Sequence, residues 1–185
     1  MSTEPVTIEL LQSIPLFSSL TAHECEPIAK VATIMDFEAH EIILRQGRTS
    51  QNLWAVLEGT CEVVFQETPK STNQPSHDVV LAELTPLQTF GEMSFFHQAT
   101  HSANVRAKSK VKLLRLERAK YDGLVADGCT GPLKLALNTV STLAERLRRM
   151  DGWVAELLNA TSSKHDEPDE WSQFRKKLLG GLDIV

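Results

Sequence analysis

One loop carries most of the chemistry that this chain can do: FGEMSFFHQATHSANVRA, Phe90 to Ala107. Gly91 stands beside a lone carboxyl, Glu92, with Met93 next; hydroxyl side chains follow at Ser94 and Ser102, the latter before the small residue Ala103. A glycine followed by exposed backbone amides and hydroxyl groups suits a phosphate. Apart from His97, the only side chain between Glu92 and Val105 that becomes cationic at moderate pH is His101. The loop therefore has the make-up of an anion site whose one central cation is weak.

Metal chemistry is the alternative for Glu92, His97 and His101. The spacing opposes it. Jelly rolls that hold metals in the cupin manner place two histidines one residue apart on a strand, whereas HQATH puts them four apart beside an expected short helix, and no later histidine follows before Leu116. The bland expectation is that both are solvent-exposed loop histidines, with no metal and no cofactor. No nucleophile stands beside a base, so no catalytic residue is assigned and no enzyme is expected.

Several elements must position that loop. From Ile8 to Ala32 apolar residues recur at helical spacing, interrupted by Pro15, and Thr21 before Ala22-His23-Glu24 is an N-cap with an acidic residue just inside; two short helices are predicted. From Ile34 to Leu116 the texture changes to short β-branched and apolar runs (IIL, LWAVL, CEVVF, DVVLAEL, VKLLRL) separated by QGR, EGT and ETPKSTNQPSH. That is the pattern of an antiparallel sheet rolled into a β jelly roll, an α+β fold once the flanking helices are counted.

After Tyr121 helical spacing returns. Leu133, Ala136, Val140, Leu143, Leu147, Met150, Val154 and Leu157 step by alternating three and four residues, the seam of a coiled coil, predicting a long C-terminal dimerisation helix over about 130–158 and a homodimer through 133–157. The same stripe also fits a helix lying along its own roll. Beyond it, 159–185 divides into a polar, acidic, Pro-containing linker and a short amphipathic helix carrying Trp171, Phe174, Leu178 and Leu182. The expected domain spans 8–158.

A net charge of −5 removes any general electrostatic reason for nucleic acid or anionic membrane as main partner, and 42% hydrophobic residues suffice for one ordinary core. No run approaches the roughly 20 apolar residues of a transmembrane span, so a cytoplasmic location is expected. Cys25, Cys61 and Cys129 are too widely separated for the close pairs of thiolate metal sites and are read as small core hydrophobes.

Helices, then a roll of strands with a Gly-Glu loop, then a long helix: in this order the chain resembles the cyclic-nucleotide-binding domain family, in its catabolite activator protein-like form without a helix-turn-helix. The resemblance runs from about Leu10 to Leu158. LLQSIPLFSSLT is similar to the family's opening helical motif, ILRQGRTSQNLWAVLEGTCEVVF to its hairpin with two spaced glycines, and FGEMSFF with HSANVRAKSKVKLLRLER to its phosphate-binding cassette and the strands that follow.

The resemblance implies roles. Amides of the short helix after Gly91 would face a cyclic phosphate, Glu92 would accept from the ribose 2′-hydroxyl, Ser94 belongs to the same group, and Ser102 matches the small hydroxyl residue of the cassette. Arg146 matches a long-helix arginine that approaches ligand and cassette glutamate. The pattern breaks at His101, which stands where the family has an arginine pairing with the phosphate. An imidazole gives one donor when neutral and two diverging donors when protonated, so neither form supplies the parallel fork of a guanidinium. Losing a charge-assisted bond is worth about 1.5–3 kcal/mol.

The reading that results is a sensing module for a small phosphate-containing ligand, cyclic AMP or cyclic GMP, that signals through a dimer helix to an unidentified partner protein. A scaffold that keeps the fold without binding nucleotide is the alternative. Transcription factors of the family add a helix-turn-helix after the long helix; here only a linker and one short helix follow, so no DNA binding by this chain alone is expected.

Overall fold

In the computed structural model, backbone is described for residues 4–67 and 78–162 and side chains through 156. Two short helices open the chain, α1 (Ile8–Ser13) and α2 (Ala22–Val31), joined by a 3-10 turn at Pro15–Phe17. The Thr21 cap forms as its sequence predicts. Its hydroxyl accepts from the Glu24 amide while Glu24 Oε2 accepts from the Thr21 amide at 2.9 Å, a capping box.

Eight strands follow: β1 (Thr33–Phe37), β2 (Ile42–Leu44), β3 (Asn52–Glu58), β4 (Cys61–Gln66), β5 (Asp78–Leu84), β6 (Thr89–Phe90), β7 (Asn104–Ala107) and β8 (Val111–Glu117). They pair antiparallel in two four-stranded sheets, β1-β8-β3-β6 and β2-β7-β4-β5, the predicted jelly roll within an α+β fold. Between β6 and β7 lies the five-residue helix α3 (Glu92–Phe96); α4 (Arg118–Ala126) and the long α5 (Thr130–Ser162) close the described chain.

The first sheet is covered on both faces, and β3 shows why. Leu53 and Ala55 face a cluster built from α1, α2, Tyr121, Leu124 and Leu135; Trp54 and Val56, pointing the other way, face Leu44, Cys61, Phe90, Val105 and Leu113 between the sheets. Cys25 and Cys61 are fully buried in these two clusters, and burial pushes the Cys61 thiol up to about 11. As expected, they are core residues.

Two compact units divide the chain, one through Thr139 and one from Val140. Within the first, α5 docks through Leu135 and Thr139, which are buried, and through Gly131, where a Cβ would meet Glu24 O at 2.3 Å. Lys134 reaches Glu24 at 2.8 Å, and Asn138 donates to Leu16 O at 2.8 Å. The heptad residue Leu133 is 55% exposed and takes no part in this packing. In the second unit Val140, Leu147 and Met150 are exposed too. Packing along the roll, the other role open to this stripe, is therefore not the role of Leu133.

The helix also runs past the expected end near Leu158 to Ser162, because Asn159-Ala160-Thr161-Ser162 contains neither Pro nor Gly to stop it. The side chain of Leu157 and the expected linker and amphipathic helix from 163 on lie outside the described residues.

Candidate functional site

The loop enters its helix through Gly91, which has φ +82° and caps α3. The left-handed conformation favours glycine, and space demands it: a Cβ there would lie 2.5 Å from Asn52 O and 3.3 Å from Trp54 Cδ1. The cassette is thus pressed against β3 at its first residue. Glu92 is 4% exposed and Ser94, whose hydroxyl donates to Gly91 O at 3.1 Å, is 5% exposed. Met93 between them is exposed.

The far end of α3 is held by the helical layer. Phe95 is fully buried, its ring 5.2 Å edge-to-face from Tyr121, and Arg118 donates to Phe95 O at 2.7 Å. Tyr121 in turn donates its hydroxyl to Pro132 O, 3.1 Å away in the first turn of α5. A chain of contacts therefore links the Gly-Glu loop to the start of the long helix.

His101 corrects one expectation. His97 is exposed, as a loop histidine should be, but His101 is 8% exposed. Its burial comes from a turn fifty residues earlier in sequence. The His101 amide donates to Arg48 O and the Gly47 amide to His101 O, each at 2.9 Å, while the Ser50 hydroxyl and His101 Nε2 share a 2.8 Å hydrogen bond. Burial pulls the imidazole below its usual pKa, favouring the neutral ring. The position to which the resemblance assigns a phosphate contact thus holds an imidazole biased towards its neutral form and already hydrogen-bonded to a serine.

Ser102 is exposed and Ala103, just before β7, is buried. Arg106 points its guanidinium at Glu62 on β4, 2.6 Å away, so this arginine belongs to a pair on the sheet. Arg146 lies on α5 in the second unit. The loop thus gathers Gly91, Glu92 and Ser94 at one helix, with His101, later in the same loop, held by the Gly47–Ser50 turn. Ser50 and Arg48 are site neighbours that no local sequence signal marked; the punctuating QGR identified a turn, not what the turn would touch. Among the described residues no group of three His, Cys, Asp or Glu side chains is arranged to hold a metal ion.

A family model described as Cyclic nucleotide-binding domain matches residues 34–127, a stretch that includes the whole cassette. Among characterised relatives, the cAMP-dependent protein kinase regulatory subunit of Schizosaccharomyces pombe is 26% identical over 64% of this chain and 26% of its own length. The cGMP-dependent protein kinase, isozyme 1, of Drosophila melanogaster is 28% identical over 97% of this chain and 22% of its own. The chain thus spans only about a quarter of the length of these relatives. Among solved structures, the catabolite activator protein of Thermus thermophilus superimposes with a TM-score of 0.65 at 27% identity, over 77% of this chain and 62% of that one.

Proposed function

The chain belongs to the cyclic nucleotide-binding domain family, and from this premise we propose that it is a non-enzymatic cytoplasmic sensing module for a small phosphate-containing ligand, cyclic AMP or cyclic GMP. The ligand sits at Gly91, Glu92, Met93, Ser94, His101, Ser102 and Ala103. Glu92 accepts from a sugar hydroxyl, backbone amides of the cassette face the phosphate, and His101 serves as a weak replacement for the arginine.

The observation that carries this reading is the buried Glu92 behind a glycine whose backbone no other residue would suit. A buried carboxyl at the start of the cassette helix is a natural acceptor for a ligand hydroxyl. Output runs from Phe95 through Tyr121 to Pro132, so a shift of the cassette is felt at the root of α5. Two copies associate through parallel α5 helices, whose exposed Leu133, Val140, Leu147 and Met150 suit a two-fold seam, and the dimer acts on a partner protein. Neither nucleic acid nor a cofactor is needed.

A second reading follows from the state of His101. An imidazole that is buried, held by Ser50 and biased towards neutrality suits a scaffold whose site takes no nucleotide. Thermal shift and calorimetry against cyclic AMP, cyclic GMP and cyclic dinucleotides at acid and neutral pH separate the two. A true ligand raises the melting temperature by an amount that grows with its concentration over Kd. No shift with any of them at millimolar concentration refutes the sensing reading in favour of the scaffold.

A further inference from the structure

A site for a phosphate needs a cation, and His101 supplies a poor one. Where else is positive charge available? Among the described lysines and arginines up to Thr139, all except Arg45, Arg48 and Lys120 are committed to a carboxylate, Arg106 to Glu62 and Asp78, Arg115 to Glu117, Arg118 to Asp122, and the lysines in the same way. Each committed cation would have to break an ion pair before meeting a ligand. The three that remain do not.

Position separates these three. Lys120 is on α4. Arg45 lines a polar cleft of about 240 Å³ with Gln46, Asp78, Asn104 and Arg106, a cleft whose walls include neither Glu92 nor His101. Arg48 lies in the turn that clasps His101: its carbonyl accepts from the His101 amide at 2.9 Å, the adjacent Gly47 amide donates to the His101 carbonyl, and Ser50 two residues on holds the imidazole. Such backbone pairing sets the two main chains about one strand spacing apart, roughly 5 Å. A flexible arginine side chain spans that distance. Arg48 is exposed.

We propose that Arg48 supplies the phosphate-pairing guanidinium of this site, replacing from the β2–β3 turn the arginine missing at position 101, while His101 serves to hold that turn in place through Ser50. The inference rests on the cyclic-nucleotide reading of the site and refines it by naming the cation. His101 then has two parts to play, its bond to Ser50 fixing the turn and its ring adding a weaker, protonation-dependent contact beside the Arg48 guanidinium.

Calorimetry on the full chain at pH 7.5 with cyclic AMP and cyclic GMP tests it. Arg48→Ala should weaken binding by ten- to a hundredfold, Arg48→Lys by less because charge remains without the fork, and Arg45→Ala not at all. In the Arg48→Ala background, His101→Arg should restore binding, since either position can present the guanidinium. If the wild type binds and Arg48→Ala binds equally well, the inference is overturned and the site reading stands. If the wild type binds neither nucleotide at millimolar concentration but His101→Arg does, Arg48 does not supply the cation. If neither protein binds, the site reading itself fails and takes this inference with it.

Discussion

Replacing His101 by Arg changes the cassette position at which the resemblance implies an arginine, and the hydrogen bond that His101 makes bears on the size of the effect. The substitution gives up the 2.8 Å bond between Ser50 and the imidazole, a neutral hydrogen bond worth about 0.5–1.5 kcal/mol. In the nucleotide-bound state it gains a charge-assisted fork worth about 1.5–3 kcal/mol. The lost bond affects free and bound protein alike, so it lowers stability more than affinity. The gain falls on the bound state alone and amounts to about one to two decades in Kd where no other guanidinium holds the phosphate, and to less where Arg48 already does.

The pH dependence carries more information than the single number. Burial lowers the pKa of His101 in the free protein, and a bound phosphate raises it, so binding by the wild type takes up a proton. Affinity should therefore rise as pH falls from about 8 through the bound-state pKa, by at most about one decade per pH unit, and level off below the free-state pKa, which lies under the ordinary value of about 6.5. The Arg variant keeps its charge throughout and should show no such slope. Titration calorimetry in two buffers of different ionisation enthalpy reads the proton count directly. A wild type that binds cyclic AMP tightly with no proton uptake at pH 6.5 would show that His101 never meets the phosphate and would refute this reasoning.

Three further outcomes are expected. Gly91→Ala must place a Cβ at φ +82° and 2.5 Å from Asn52 O, costing at least about 1–2 kcal/mol from the backbone alone; a melting temperature within a degree of wild type would contradict the packing of the cassette on β3. The double variant Val140→Asp, Leu147→Asp alters two exposed side chains and should leave the fold intact while turning a dimer into monomers in analytical ultracentrifugation, and a wild type already monomeric at micromolar concentration sinks the seam. The Glu24 carboxyl is held down to about 2 chiefly by its hydrogen bond to Lys134, so the tie between α2 and α5 is fully present above the unfolded value of about 4.3 and is lost as pH falls towards 2. Lys134→Met should flatten the acid limb of the stability curve between those values; an unchanged limb means that this tie contributes nothing there.

The order of elements was legible in the sequence because each rests on local rules. A capping box needs only Thr21 and Glu24, the apolar run Leu53–Leu57 that makes β3 a strand buried on both faces needs only its own residues, and Gly91 beside Glu92 opens the cassette. What the tertiary structure alone decided is which of several locally equivalent surfaces meets which. Helical spacing on α5 identifies the stripe of Leu133 and Val140, yet Leu135 and Thr139 are the residues that dock, because Gly131 lets the helix approach Glu24 and Asn138 finds Leu16 O. Likewise nothing near HQATH foretells that His101 is buried. Its clasp comes from Gly47, Arg48 and Ser50, brought together by the closing of the roll, and a hydrogen bond between residues 51 positions apart leaves no periodic trace in either segment.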